Sequence, residues 1–141
     1  MTMTVKAIVP AVALLAALGS DRLCVLEAGA DTAAQILQAT GTRGGLVVHV
    51  GCGEGELLAA LGRREGLLVH GLDRSAENVA AARGRLMEPG LYGKVAIDRW
   101  EGEALPYVDN LVNLLVVQGG VEIAKAELLR VLTPQGVACI E

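Results

Sequence analysis

The sequence predicts an α/β fold, a doubly wound and mostly parallel sheet, and three observations carry that expectation. Short apolar runs of strand length alternate with Ala-rich stretches of helical length. The apolar fraction is 52% while aromatic residues make up only 2%, so the core must be built from Val, Leu, Ile and Ala, the palette of buried parallel strands covered by helices. A turn bare of side chains, "GCGEG" at 51–55, joins the first strong strand to a helix, where such sheets bring backbone close to a ligand. At 141 residues the chain has room for one domain and not for a second.

The elements follow in order. "DTAAQILQATG" reads as a helix, with Asp31 able to cap it, Ala34, Ile36, Leu37 and Ala39 apolar, and Gly41 ending it. "LVVHV", residues 46–50, is the first strand, apolar enough to be buried on both faces. A helix from Glu54 to about Arg64 follows, then a second strand, "GLLVHGLD", ending near Asp73. Ser75 and Glu77 favour the N-terminal turn of the next helix, "SAENVAAARGRLM". "EPGLYG" is a loop by its proline and glycines, and "KVAIDR" a third strand. "WEGEALPYVDN" is a long loop where a helix could have stood. A fourth strand, "LVNLLVV", a helix, "EIAKAELLRVL", and a fifth strand, "GVACI", complete the order. The chain stops at Glu141, so the sheet is expected to be truncated after its fifth strand and the domain, 31–141, to be incomplete.

Ahead of that domain, Lys6 precedes the 12-residue apolar run "AIVPAVALLAAL". That is shorter than the roughly 18–20 residues that span a bilayer, and it matches the apolar region of a secretory leader. Small residues at Ala17-Leu18-Gly19 or Ala28-Gly29-Ala30 offer cleavage sites, so residues 1–30 are read as a leader and the protein as exported to the periplasm. The alternative is a cytoplasmic protein whose N-terminal helix packs on the domain. Cys24 lacks a lipoprotein context, because Leu23 stands where a small residue is expected.

Charge and cysteine content exclude other classes. The net charge is −4 and the pI about 5.2, with Lys and Arg scattered, so no electrostatic footprint for nucleic acid exists. Three cysteines with no CxxC spacing indicate neither a zinc site nor a disulfide framework, and Cys52 and Cys139 read as small buried residues.

The glycine turn carries the functional signal. Gly51, Gly53 and Gly55 have GxGxG spacing, whereas a dinucleotide fingerprint is GxGxxG, and position 56 is Glu. Glu54 or Glu56 would also repel a pyrophosphate at this helix start. Asp73, 22 residues beyond Gly51, ends the second strand, where a carboxylate accepts hydrogen bonds from ribose hydroxyls. The site therefore wants a nucleoside without phosphate, and S-adenosylmethionine, a nucleoside with a sulfonium and an amino-acid tail, meets both conditions.

On these residues the chain resembles the class I S-adenosylmethionine-dependent methyltransferases, with their Rossmann-like sheet. The matching pieces are "VVHVGCGEGEL", "VHGLDRS", "WEGEALPYVDNLVNLLVV" and "LLRVLTPQGVACI", in the family's order over roughly residues 33–141. More narrowly, "ATGTRGGLVVHVGCGEG" with "LPYVDNLVNLLVV" looks like the methyltransferase-like segment ahead of pyrroloquinoline-quinone-binding-like β-propeller repeats in large exported bacterial proteins. The resemblance implies that Gly51, Cys52, Gly53 and Gly55 line the methionine and ribose side. It implies that Asp73 binds the ribose diol with Arg74 beside the adenine, that Glu101 and the Gly102 backbone reach the adenine, and that Gln118 faces the reacting methyl.

The chain also departs from that pattern. Relatives usually carry Asp or Glu two residues before the first glycine, orienting the cofactor's cationic end; here His49 stands there, and a neutral imidazole supplies no fixed negative charge. It is either a core histidine or a ligand-facing one. Asn113 replaces a frequent Asp, Gln135 replaces the first glycine of a Pro-Gly-Gly turn, and the sixth and seventh strands have no counterpart. No general base is evident, and His70 lies inside its strand. Three functions compete: a methyltransferase with an acceptor the sequence leaves open, a non-catalytic module heading a longer exported protein, and a nicotinamide-dependent oxidoreductase, which the glycine spacing disfavours.

Overall fold

The computed structural model describes residues 5–7, 30–91 and 93–140. Most of the segment read as a leader, including Cys24 and both cleavage sites save Ala30, lies outside the described residues. In chain order the elements are β1 (Val5–Ala7), α1 (Ala30–Thr40), β2 (Gly45–Val50), α2 (Glu56–Gly62), β3 (Leu67–Asp73), α3 (Ala76–Arg85), β4 (Val95–Arg99), β5 (Val112–Val117), α4 (Lys125–Val131) and β6 (Leu132–Ile140).

The strands form one parallel sheet in the order β1-β6-β5-β2-β3-β4. From β2 the chain winds outward through β3 to β4, then returns to the other side of β2 and winds outward through β5 and β6. The order therefore reverses between β2 and β5, and a crevice opens at their carboxyl ends. The five expected strands are β2 to β6, with β6 the last element as expected, and the short strand β1 is added to them. Val5–Ala7 pairs with Ala138–Ile140 along the outer edge of β6, so backbone groups that would otherwise be left bare there are paired.

Strand alternation divides the core. Val47, Val69, Leu114, Val116 and Cys139 face α1, α2 and α3 on one side, while Val48, Val50, Leu72, Leu115, Val117 and Ala138 face α4 and the 100–111 loop on the other. With no helix between β4 and β5, Trp100 and Leu105 from that loop fill the second core. Arg130 holds the loop to α4: its guanidinium donates to the Tyr107 and Leu105 carbonyls at 2.8 and 3.1 Å and to the Asp109 carboxylate at 2.8 Å. Glu127 accepts from Arg130 and from the Leu105 amide, and the neighbouring guanidinium pulls its carboxyl down to about 2.

Three boundaries differ from expectation for local reasons. α2 starts at Glu56 because Gly55 is left-handed, with φ 82°, and ends the turn. α4 starts at Lys125, three residues after Glu122. β6 starts at Leu132, but its register against β5 breaks between Leu132 and Val137, where Pro134 has no N–H to offer a ladder.

Two glycines test the packing. At Gly62 in α2 an added Cβ would collide with the Val95 side chain and stand 3.0 Å from Leu91 Cδ2, whereas at Gly84 in α3 it would meet nothing within 4 Å. Helix propensity favours Ala by up to about 1 kcal/mol at either site, and overpacking costs about 1–3 kcal/mol where space is missing. Gly62→Ala is therefore expected to lower, and Gly84→Ala to raise, the urea unfolding midpoint.

Candidate functional site

The chain leaves β2 through a turn whose backbone is held from two sides. Gly51 N–H donates to Leu72 O at 2.8 Å, and Gly53 N–H donates to the Asp73 carboxylate at 2.9 Å, so the turn is fastened to the end of β3. Gly51 has φ 78°, and a Cβ there would lie 2.9 Å from Gln118 Cβ and Val121 Cγ2, which brings the segment after β5 directly against the turn. Gly53 also has positive φ, and a Cβ there would meet nothing within 4 Å, so the middle of the turn is open. Gly55 serves packing instead, with Ala82 of α3 only 3.0 Å from its Cβ position.

Asp73 organises this corner. One carboxylate oxygen accepts from Gly53 N–H; the other accepts from Ser75 N–H at 2.8 Å and Asn78 Nδ2 at 3.2 Å. The Ser75 hydroxyl in turn accepts from Asn78 N–H and caps α3. A carboxylate accepts about four hydrogen bonds; three are taken here, which leaves room for one further donor.

His49 lies in β2, two residues before Gly51. Its register partners are Gly71 and Val116, it is 3% exposed, and neither ring nitrogen has a hydrogen-bond partner. Burial keeps the imidazole neutral, lowering its pKa to about 4 against smaller opposing pulls from nearby Gln118 and Asp73. Gln118 thus lies close enough to be felt, but outside hydrogen-bonding geometry. The Cys52 thiol is pushed up to about 12, first by burial and then by the Asp73 carboxylate, and so stays protonated and unreactive.

The other wall is built from loops. The Arg74 guanidinium lies over the Trp100 ring, 5.2 Å from its centroid, and the Trp100 indole donates to Ala104 O at 2.8 Å, shaping the 100–104 turn. Glu101 is exposed and paired with Arg99, and Gly102 stands beside the indole. A cavity of about 370 Å³ is lined by Arg74, Glu103, Gly120, Glu122 and Ala124. Glu103, Gly120 and Glu122 were not anticipated from the sequence; the Gly119-Gly120 pair after an apolar strand was the one visible sign of a loop there.

Of the residues expected to line a ligand site, His49, Gly51, Cys52, Gly53, Asp73 and Gln118 are gathered around the turn, while Arg74 borders the cavity formed with the 100–105 loop that carries Glu101 and Gly102. Gly55 lies behind, between helices. His70 is committed elsewhere, bridging the Tyr107 hydroxyl at 2.5 Å and the Asp98 carboxylate at 3.0 Å. Asn113 Oδ1 accepts from Leu46 N–H at 2.9 Å, tying β5 to the start of β2. Among the described residues no group of His, Cys, Asp and Glu could hold a metal ion, and no helix is long and apolar enough to cross a membrane.

Comparison with known proteins is consistent with this arrangement. The model of a family described as a methyltransferase domain matches residues 47–136. No curated protein matches the chain. Among solved structures, a putative S-adenosyl-L-methionine-dependent methyltransferase from Methanococcus maripaludis superposes with a TM-score of 0.66 at 23% identity, over 76% of this chain and 53% of that one. A SAM-dependent methyltransferase from Aquifex aeolicus gives 0.62 at 26%, over 72% and 58%. The cyclase SpnF gives 0.65 at 27%, over 74% and 41%. The chain thus spans 41% to 58% of the length of these solved relatives.

Two measurements test the corner. Asp73→Asn places an amide donor against one of the N–H groups and is expected to cost about 1–3 kcal/mol in urea unfolding of the ligand-free protein; an unchanged midpoint would deny Asp73 its structural role. His49 takes up a proton below about 6.5 in the unfolded chain but only below about 4 when folded. Stability should therefore fall as pH drops through that window, and His49→Gln should flatten the slope there.

Proposed function

Because the chain belongs to the methyltransferase domain family, we propose that it binds S-adenosylmethionine across the crevice between β2 and β5 and serves methyl transfer to an acceptor on the Gln118 side. The observation that carries this reading is the open turn at Gly53, with its amide fixed to Asp73. Glu54 and Glu56 beside the turn disfavour a pyrophosphate there.

The residues fit such a nucleoside. Asp73 retains one acceptor position for a ribose hydroxyl, Arg74 and the Glu101–Gly102 turn form the adenine side, and Gly51 and Gly53 admit the ligand against bare backbone. S-adenosylmethionine supplies an electrophilic methyl on a cationic sulfur. The chain's part is placement: the crevice fixes the direction of attack, and Gln118 and the cavity walls at Glu103 and Glu122 border the space from which a nucleophile approaches. Such transfer draws largely on alignment of nucleophile and methyl, and any proton on the acceptor leaves to solvent or to a group the acceptor brings. The pairing of Val5–Ala7 with β6 supports an uncleaved, cytoplasmic enzyme, since processing at Ala17-Leu18-Gly19 would remove β1.

A second reading is a non-catalytic module at the head of a longer exported β-propeller protein. It is favoured by His49 standing where relatives carry a fixed negative charge, and by the apolar run after Lys6.

Calorimetric titration with S-adenosylhomocysteine and with NAD is expected to show binding of the first and none of the second; the reverse would overturn the cofactor assignment. Sequencing the N-terminus of the protein from its native host separates the two readings. An intact Val5–Ala7 supports the cytoplasmic enzyme, and a start near Ser20 or Asp31 supports the exported module.

A further inference from the structure

We infer that Arg85, in the last turn of α3, is a positioning residue for the nucleoside: its guanidinium holds the far side of the glycine turn, and through the turn it sets how tightly the crevice binds. This rests on the S-adenosylmethionine reading of that crevice and names the side chain that keeps its turn in the binding shape.

Three glycines in five residues give the 51–55 turn wide backbone freedom, so its shape has to be imposed by its bonds. Two of its peptides are tied at both ends. In the peptide between Cys52 and Gly53, the carbonyl accepts from Gly55 N–H at 3.1 Å and the N–H donates to the Asp73 carboxylate at 2.9 Å. In the peptide between Glu54 and Gly55, the N–H makes that same bond to Cys52 O, and the carbonyl accepts from Arg85 Nε at 3.2 Å. Between them lies the Gly53–Glu54 peptide, whose carbonyl and N–H have no hydrogen-bond partner among the described residues. Fixing the peptides on either side orients the one that remains free to engage a ligand.

The helix is placed to deliver that contact. Ala82, three residues ahead of Arg85 and on the same helix face, stands 3.0 Å from the Cβ position of Gly55. Asp73 holds the first residues of α3 through Ser75 and Asn78, so α3 and the turn are fastened to each other near both ends of the helix. The guanidinium also stands 3.8 Å from the Glu54 carboxylate and 3.9 Å from that of Glu56, but such exposed pairs contribute little. The bond to the Glu54 carbonyl differs in kind. Its acceptor belongs to the main chain and cannot move away without reshaping the turn, and a charged donor strengthens it. The Arg85 side chain is 38% exposed, so its removal opens no hole in the core and acts on the turn rather than on global stability.

The test is calorimetric titration of the whole chain with S-adenosylhomocysteine, a ligand without net charge, so that loss of a nearby cation changes little by charge alone. Arg85→Met keeps the apolar stem and removes the guanidinium; it is expected to raise the dissociation constant about threefold to tenfold, with the urea midpoint of the ligand-free protein close to that of the wild type. Arg85→Lys retains one charged donor and should recover part of the loss. Arg63→Met removes an exposed arginine paired with Glu88 beyond the end of α2, and should leave the constant within about twofold. In the ligand-free protein the Gly55 amide should exchange with solvent faster in Arg85→Met, with the α1 amides unchanged. An unchanged dissociation constant in Arg85→Met, an equal loss in Arg63→Met, no recovery in Arg85→Lys or an unchanged Gly55 exchange rate overturns the inference. Should Arg85→Met fail to fold, the wild type decides: the Arg85 Nε–H, followed by NMR, is expected to exchange more slowly than that of Arg63, and equal rates overturn the inference. If S-adenosylhomocysteine does not bind the wild type, the S-adenosylmethionine reading falls and this inference with it; if it binds the wild type and Arg85→Met equally, only the role of Arg85 falls.

Discussion

The hydrogen bond from the Gly53 amide to the Asp73 carboxylate is the constraint on which the corner of this molecule depends. It joins the turn after β2 to the end of β3, and the same carboxylate holds the first residues of α3 through Ser75 and Asn78. One side chain thus sets the direction in which two helices leave the sheet and keeps the turn bare toward the crevice. It does so because the strands are parallel and adjacent, so their carboxyl ends arrive side by side, and because Gly53 has no Cβ at a left-handed position. Asp73 is a structural clamp, with one of its acceptor positions left open.

Around that corner the two faces of the sheet are built by different means. Three helices cover one face, packed chiefly through Val, Leu and Ala. The other face has a loop over β3 and β4, and that loop is fastened by charge: the Arg130 guanidinium binds two of its carbonyls and one of its carboxylates, Glu127 binds an amide, and His70 holds the Tyr107 hydroxyl. A loop without its own hydrogen-bond ladder must have its backbone groups satisfied from neighbours. The cost of irregular backbone is met here by α4, and the gain is a short, shaped segment bordering the crevice from Trp100 to Ala104.

Much of the fold could be read from residue patterns. Strands β2, β3 and β5 are uninterrupted apolar runs, and each lies within a residue of where such runs place it. The glycine turn and the acidic strand end were equally plain, since few side chains suit those positions. What escaped depended on contacts distant in sequence. Nothing local marks Val5–Ala7 as a strand; its pairing is made by β6, more than a hundred residues away. The start of β6 was hidden by Pro134 and Gly136, which read as a turn but form an irregular strand beside Val112. The three hydrogen bonds that Asp73 accepts from the protein's own amides were also invisible, because a carboxylate looks the same in sequence whether it caps, clamps or binds. His49 posed the sharpest ambiguity: a lone histidine in an apolar strand reads equally as a core residue or a ligand group, and its burial follows from contacts that no local pattern announces.

The central claim is that the clamp between Gly53 and Asp73 presents an open turn to an adenine nucleoside. Backbone amide NMR of the full chain, recorded while S-adenosylhomocysteine is added, tests it most directly. The largest shifts are expected at Gly51, Gly53, Arg74 and Gln118, with the α1 amides little changed. Shifts centred away from the carboxyl ends of β2 and β5, with the Gly53 amide unmoved at saturation, would contradict it.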